Sequence, residues 1–133
     1  MSYYKDLNVY QRAYKVAIDF HRYLEKNGGS YSTDETNQLK GLARDIIGNI
    51  AESTSQRTPK AKRFFIFKAL DCINRLLIDL DFLHDIQRLP DDYHRNFYDE
   101  YEICAKILYK LNKSILEKSK EPAKEEAVAA AAA

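Results

Sequence analysis

The chain has 133 residues, 45% hydrophobic and 31% charged, which suits one domain with one buried core. Basic residues number 21 against 20 acidic, so a net charge of +1 excludes polyanion binding through a global field. Any nucleic-acid contact must then come from a local patch. Cys72 and Cys104 form neither a CxxC pair nor a disulfide framework. The N-terminal "MSYYKDLNVYQRAYK" has no apolar signal core, and no apolar run approaches the roughly 20 residues of a membrane span. The expected setting is a cytoplasm that keeps both thiols reduced.

In chain order, the first helix is expected from about Lys5 to Lys26. Its apolar face is Tyr10, Ala13, Tyr14, Ala17, Phe20, His21 and Leu24, at three-and-four spacing. "NGGSYS" breaks it. Ser32 followed by Glu35 reads as a capping box that starts the second helix. Its stripe is Leu39, Leu42, Ala43, Ile46, Ile47, Ile50 and Ala51, and it should fray in "STSQR". Thr58-Pro59 pairs a capping hydroxyl with a proline at the first helical position, which starts the third helix. Its stripe is Ile66, Ala69, Leu70, Ile73, Leu76, Leu77, Leu80 and Leu83. Pro90 opens the fourth, with Phe97, Tyr101, Cys104, Leu108, Leu111 and Ile115 inward. Long helices on short connections make antiparallel neighbours. The expected fold is all-α, an up-down-up-down antiparallel four-helix bundle over residues 1–118. Residues 119–133 form a low-complexity, alanine-rich tail.

Little in this sequence carries catalysis. His21, His84 and His94 have no ligand spacing with a second His or Cys. Asp81 and His84 stand at the spacing of a di-iron motif, but once and with an aspartate. Phosphate loops and nucleophile elbows are missing. Cys72 and Cys104 read as structural thiols. The expectation is a protein that is not an enzyme, with no cofactor and no metal.

Three features remain. Arg57, Lys60, Lys62 and Arg63 lie within seven residues, with no acid among them, at a helix start whose dipole prefers anions. They are the candidate nucleic-acid contacts, and Lys40 and Arg44 are candidate extensions. Next, Phe64, Phe67, Ile78 and Phe82 make a second stripe on the third helix, opposite Ile73 and Leu77, with Asp71 and Arg75 between them. Tyr98, Ala105, Tyr109 and Leu116 repeat it weakly on the fourth helix. A helix apolar on two sides must bury the second one elsewhere, so the stripe is a candidate oligomer interface. Last, Asn49 and Glu52 interrupt the end of the second helix in "NIAES". They are expected to be a half-buried polar lock to a neighbouring helix, with Gly48 allowing its close approach.

"YKDLNVYQRAYKVA" (4–17), "LKGLARDIIGNIAES" (39–53) and "KAKRFFIF" (60–67) resemble the 23S rRNA intervening-sequence proteins, small bacterial four-helix bundles. The pattern there is an aromatic-x-x-Leu-x-Val-aromatic opening, a central Asn-Ile-Ala-Glu-Gly and an Arg-Phe-Leu that starts helix 3. The resemblance covers about residues 4–115. Ser53 replaces the glycine of that pattern, "FKALDCIN" replaces an Ala-x-Gly-Ser run, and Asn74 stands near an expected glutamate. The half from Ala69 to Ile115 is similar to Avd, the accessory protein of diversity-generating retroelements. Together the resemblances imply a non-enzymatic homo-oligomer, a pentamer by that likeness. They also imply association with structured RNA or an RNA–DNA hybrid, with a reverse transcriptase as possible partner and no membrane. The alternative expectation is a protein–protein scaffolding bundle with no nucleic-acid role.

Overall fold

The structure is a computed structural model that describes residues 3–119. Apart from Ser119, the alanine-rich tail lies outside the described residues. Those residues are helical, without a strand: a 3-10 turn Tyr3–Asp6, then α1 (Asn8–Lys26), α2 (Thr33–Ser55), α3 (Pro59–Asp85) and α4 (Asp91–Lys118), with a second 3-10 turn Gly28–Ser30 between α1 and α2. Each helix packs on two neighbours, in the ring α1–α2–α3–α4–α1. Cross-links run in antiparallel order. Arg12 pairs with Glu100 and Phe20 meets Phe97 between α1 and α4. Arg63 reaches Asn112 and His94 reaches Asp81 between α3 and α4. The expected antiparallel four-helix bundle is what forms.

Local chemistry sets the boundaries. At α2 the capping box closes in both directions: the Glu35 amide donates to Ser32 Oγ at 3.1 Å, and the Ser32 amide to Glu35 Oε1 at 2.8 Å. At α3 the Ala61 amide donates to Thr58 Oγ1 at 3.1 Å and Pro59 occupies the first turn. α1 begins three residues later than expected, because Tyr3–Asp6 is a 3-10 turn and Leu7 is the cap. α2 ends inside "STSQR", at Ser55. The hydroxyls of Ser53, Thr54 and Ser55 donate back to the carbonyls of Ile50, Ala51 and Glu52, and the helix holds to Ser55. α3 ends in a Schellman turn. Gln87 takes a left-handed φ of 64°, its amide donates to the His84 carbonyl, and the Arg88 amide donates to the Leu83 carbonyl.

The core contains Ile46 and Ile50 from α2, the whole expected stripe of α3 except half-buried Leu77, and Phe97, Tyr101, Cys104 and Leu108 from α4. In α1 the buried side is rotated from the expected one. Val9, Val16 and Tyr23 are inside, while Tyr14 is 47% exposed and His21 half-buried. The rotation turns α1 toward α4, where Phe20, Tyr23, Tyr93 and Phe97 pack ring against ring. On α4, Ala105 is buried, so it does not belong to an outer stripe; Tyr109 is exposed. Burial pushes the Cys104 thiol up to about 12 and raises that of half-buried Cys72. Neither is a poised nucleophile.

The loops at one end are tied by Arg88. Its guanidinium donates to both Glu35 oxygens, at 2.9 and 2.7 Å, and to the Ser30 carbonyl. It also lies over the Tyr31 ring, whose hydroxyl donates to the Arg88 carbonyl. The hydrogen bonds from Arg88 hold the Glu35 carboxyl well below its usual range, at about 2. The capping glutamate of α2 therefore also holds the α3–α4 connection.

Candidate nucleic-acid interface

The α2–α3 connection gathers cations because Thr58 and Pro59 start a helix immediately after Arg57. One turn then carries Lys60, Lys62 and Arg63. Arg57 and Lys60 are exposed. Lys62 is half-buried, its Nζ 3.5 Å from the Thr54 carbonyl. Arg63 donates through Nε to Asn112 Oδ1 at 3.0 Å, and its guanidinium lies 5.8 Å from the Phe67 ring centre. Lys68, one turn on, sits over the rings of Phe64 and Phe65. No described acidic side chain forms an ion pair with any of these five residues. The amide dipoles of the α3 N-terminus add to the same positive field. Exposed cations, helix-start amides and exposed rings make a surface able to hold phosphate oxygens, with ring faces beside it.

Against known sequences, residues 5–110 match the family described as 23S rRNA-intervening sequence protein. The chain belongs to this family. No curated protein and no solved structure matches it.

In this intervening-sequence protein the candidates do not all converge. Lys40 and Arg44 do not extend the patch. Lys40 is paired with Glu25 at 3.4 Å, and Arg44 borders a groove with His21, Arg22 and Glu25. Both sit on the α1 side of α2, about 20–25 Å back along the helix from Arg57 at ~1.5 Å per residue. Asn49 and Glu52 do not lock α2 to a neighbour. The Asn49 amide donates to the Asp45 carbonyl of its own helix, and Glu52 is exposed. Gly48 is exposed too, and a Cβ there would meet nothing within 4 Å, so it permits no close approach. The polar side chain that does turn inward is Ser53, 4% exposed, donating to the Ile50 carbonyl at 2.6 Å. Phe64, Phe67, Ile78 and Phe82 are 56%, 41%, 63% and 62% exposed.

One cluster is assembled only by the fold. The rings of His84 and His94 stack at 4.2 Å across the α3–α4 turn. His84 Nε2 is 2.6 Å from Asp91 Oδ1, and His94 Nε2 is 2.8 Å from Asp81 Oδ1. The Asp91 hydrogen bond raises the His84 pKa. The only local signal was the Asp81/His84 spacing; the partners come from beyond the turn. Among the described residues no group of three or more His, Cys, Asp or Glu is arranged to hold a metal ion. His21, placed by its spacing on the apolar face of α1, is half-buried, and its Nε2 has no hydrogen-bond partner among the described residues. No described helix is long and apolar enough to cross a membrane.

Proposed function

We propose that this chain is a non-enzymatic accessory factor that binds structured RNA through the basic end of α3. The single observation that carries the reading is the set Arg57, Lys60, Lys62 and Arg63, which no described carboxylate neutralises although the net charge of the chain is only +1. Membership of the 23S rRNA-intervening sequence protein family supports RNA as the polyanion. Lysines and arginines at a helix start reach phosphates more readily than base edges, so recognition is of backbone and shape.

The test is fluorescence anisotropy with a labelled RNA hairpin of about 20 base pairs, titrated at several salt concentrations. About four phosphate contacts give a slope of log K against log salt near −3. Changing Arg57 and Lys62 to glutamate should weaken binding at least about tenfold for any hairpin sequence and flatten the slope by about 2. Binding unchanged by the double variant would sink the RNA reading. It would leave the scaffolding alternative, which the exposed Phe64–Phe82 stripe favours.

A further inference from the structure

The last turn of α3 and the first turn of α4 hold each other through a reciprocal pair of hydrogen bonds. His84 of α3 meets Asp91 of α4, Nε2 to Oδ1 at 2.6 Å, and His94 of α4 meets Asp81 of α3 at 2.8 Å. Between these carboxylates the two imidazoles lie flat on one another, ring centres 4.2 Å apart and planes at 19°. A second carboxylate, Asp85, stands 3.6 Å from His84 Nδ1. A neutral imidazole donates from one nitrogen and presents a lone pair at the other. Only the imidazolium can face a carboxylate on both sides, and its bond to Asp91 is then charge-assisted.

We propose that His84 is a proton-operated latch on the α3–α4 connection, closed with the imidazolium and loosened with the neutral ring. The groups that face it fit this role. Asp81 and Asp85 come from α3, and Asp91, Arg95, Tyr98 and Asp99 come from α4, where they line an open hollow with His94. Arg95 also approaches Asp92, at 3.9 Å, and Arg88 of the connection is taken up by Glu35. Arg95 and any charge on His94 oppose a proton on His84, but Asp81, Asp85, Asp91 and Asp99 outnumber them. The hydrogen bond to Asp91 raises the His84 pKa, burial lowers it, and the charges of Asp91 and Asp85 raise it again. The latch therefore stabilises fully below the ordinary value of 6.5 and is lost as pH rises through the higher value of the folded chain. The connection transmits the change. Gln87, at a left-handed φ of 64°, donates its amide to the His84 carbonyl, and Arg88 follows directly. The Arg88 guanidinium holds Glu35, the capping residue of α2, and lies over Tyr31. Loosening the last turn of α3 thus loosens the start of α2. The latch is independent of the RNA reading, since His84 lies about 36 Å along α3 from Lys60 at ~1.5 Å per residue.

The experiment is hydrogen–deuterium exchange on the full chain between about pH 6 and 9, read as protection factors so that the intrinsic pH dependence of exchange cancels. The amides of Arg88 and Leu89, which donate to the Leu83 carbonyl, report on the latch. Their protection should fall by about threefold or more as pH rises, the weight of one hydrogen bond that loses its charge. The fall should follow the titration of the His84 ring seen by NMR. His84→Gln should abolish the pH dependence with far-UV circular dichroism unchanged. Asp91→Asn keeps the histidine and should move both the ring titration and the loss of protection to lower pH, so it serves even where the glutamine variant fails to fold. Protection independent of pH, a fall that persists in His84→Gln, or a midpoint that Asp91→Asn does not move would each overturn the proposal.

Discussion

Phe20 and Phe97 offer the sharpest check on how the bundle closes. They come from opposite ends of the chain and meet edge to face, ring centres 5.0 Å apart and planes at 70°. Phe20 is 1% exposed and Phe97 5%, so both rings are out of water. Phe20→Leu and Phe97→Leu should each destabilise by about 1–2 kcal/mol, from lost burial and imperfect repacking. Phe97 should be the costlier, since it also packs on Tyr23 and Tyr93. The edge-to-face contact itself is worth about 0.5–1.5 kcal/mol beyond area. That share is lost once in either single variant and cannot be lost twice. The double variant should therefore be less destabilised than the sum of the singles by about 0.5–1.5 kcal/mol. Urea unfolding followed at 222 nm reads this as midpoint shifts of about 0.5–1.5 M for the singles. Additivity within about 0.3 kcal/mol would mean the rings do not touch, and α1 would not lie beside α4 as described.

Three further outcomes follow from local geometry. Gln87→Gly should raise stability by about 0.5–1 kcal/mol, seen as a Tm increase of a few degrees, because a side chain in the left-handed region is strained; a fall in Tm would refute the Schellman geometry. Glu35 is held at about 2 by Arg88, so its contribution to stability is complete above its ordinary value of 4.5 and is lost as pH falls toward 2. Arg88→Met should flatten the acid limb of a Tm–pH curve between those values, and an unchanged limb would remove the clamp. Ser53→Ala should be neutral or stabilising by about 0.5 kcal/mol, since the hydroxyl bonds only within its own helix and alanine is the better helix former; a loss above about 1 kcal/mol would restore an interhelix role for this position.

What was legible in the sequence was what local chemistry decides. Ser32 with Glu35, and Thr58 with Pro59, start their helices through bonds that span three residues, so their spacing alone announced them. Period also separated Ile73 from Phe82 on one helix. Polar partners were not legible in the same way. Asn49 is half-buried as expected, but Glu52 is exposed, and neither bonds to another helix. Whether an amide turns to its own backbone or across to a neighbour depends on where that neighbour lies, and here Asn49 turns to Asp45. Lys40 failed for the same reason: its partner, Glu25, is 15 residues away across a turn. The stacked His84 and His94 come from two helices and are brought together only by the register of the α3–α4 turn. The basic run at 57–63 was visible because its residues are neighbours in sequence, but its freedom from carboxylates is a tertiary fact.

The decisive question is where RNA touches this chain. Ultraviolet crosslinking of the full chain to a photoreactive RNA hairpin, followed by mass spectrometry of the linked peptides, asks that directly. RNA held at the basic end of α3 should give crosslinks concentrated between Arg57 and Lys68, where cations and the rings of Phe64 and Phe65 lie together. Crosslinks concentrated at the His84–His94 end, or none above an unrelated helical bundle of equal charge, would contradict it.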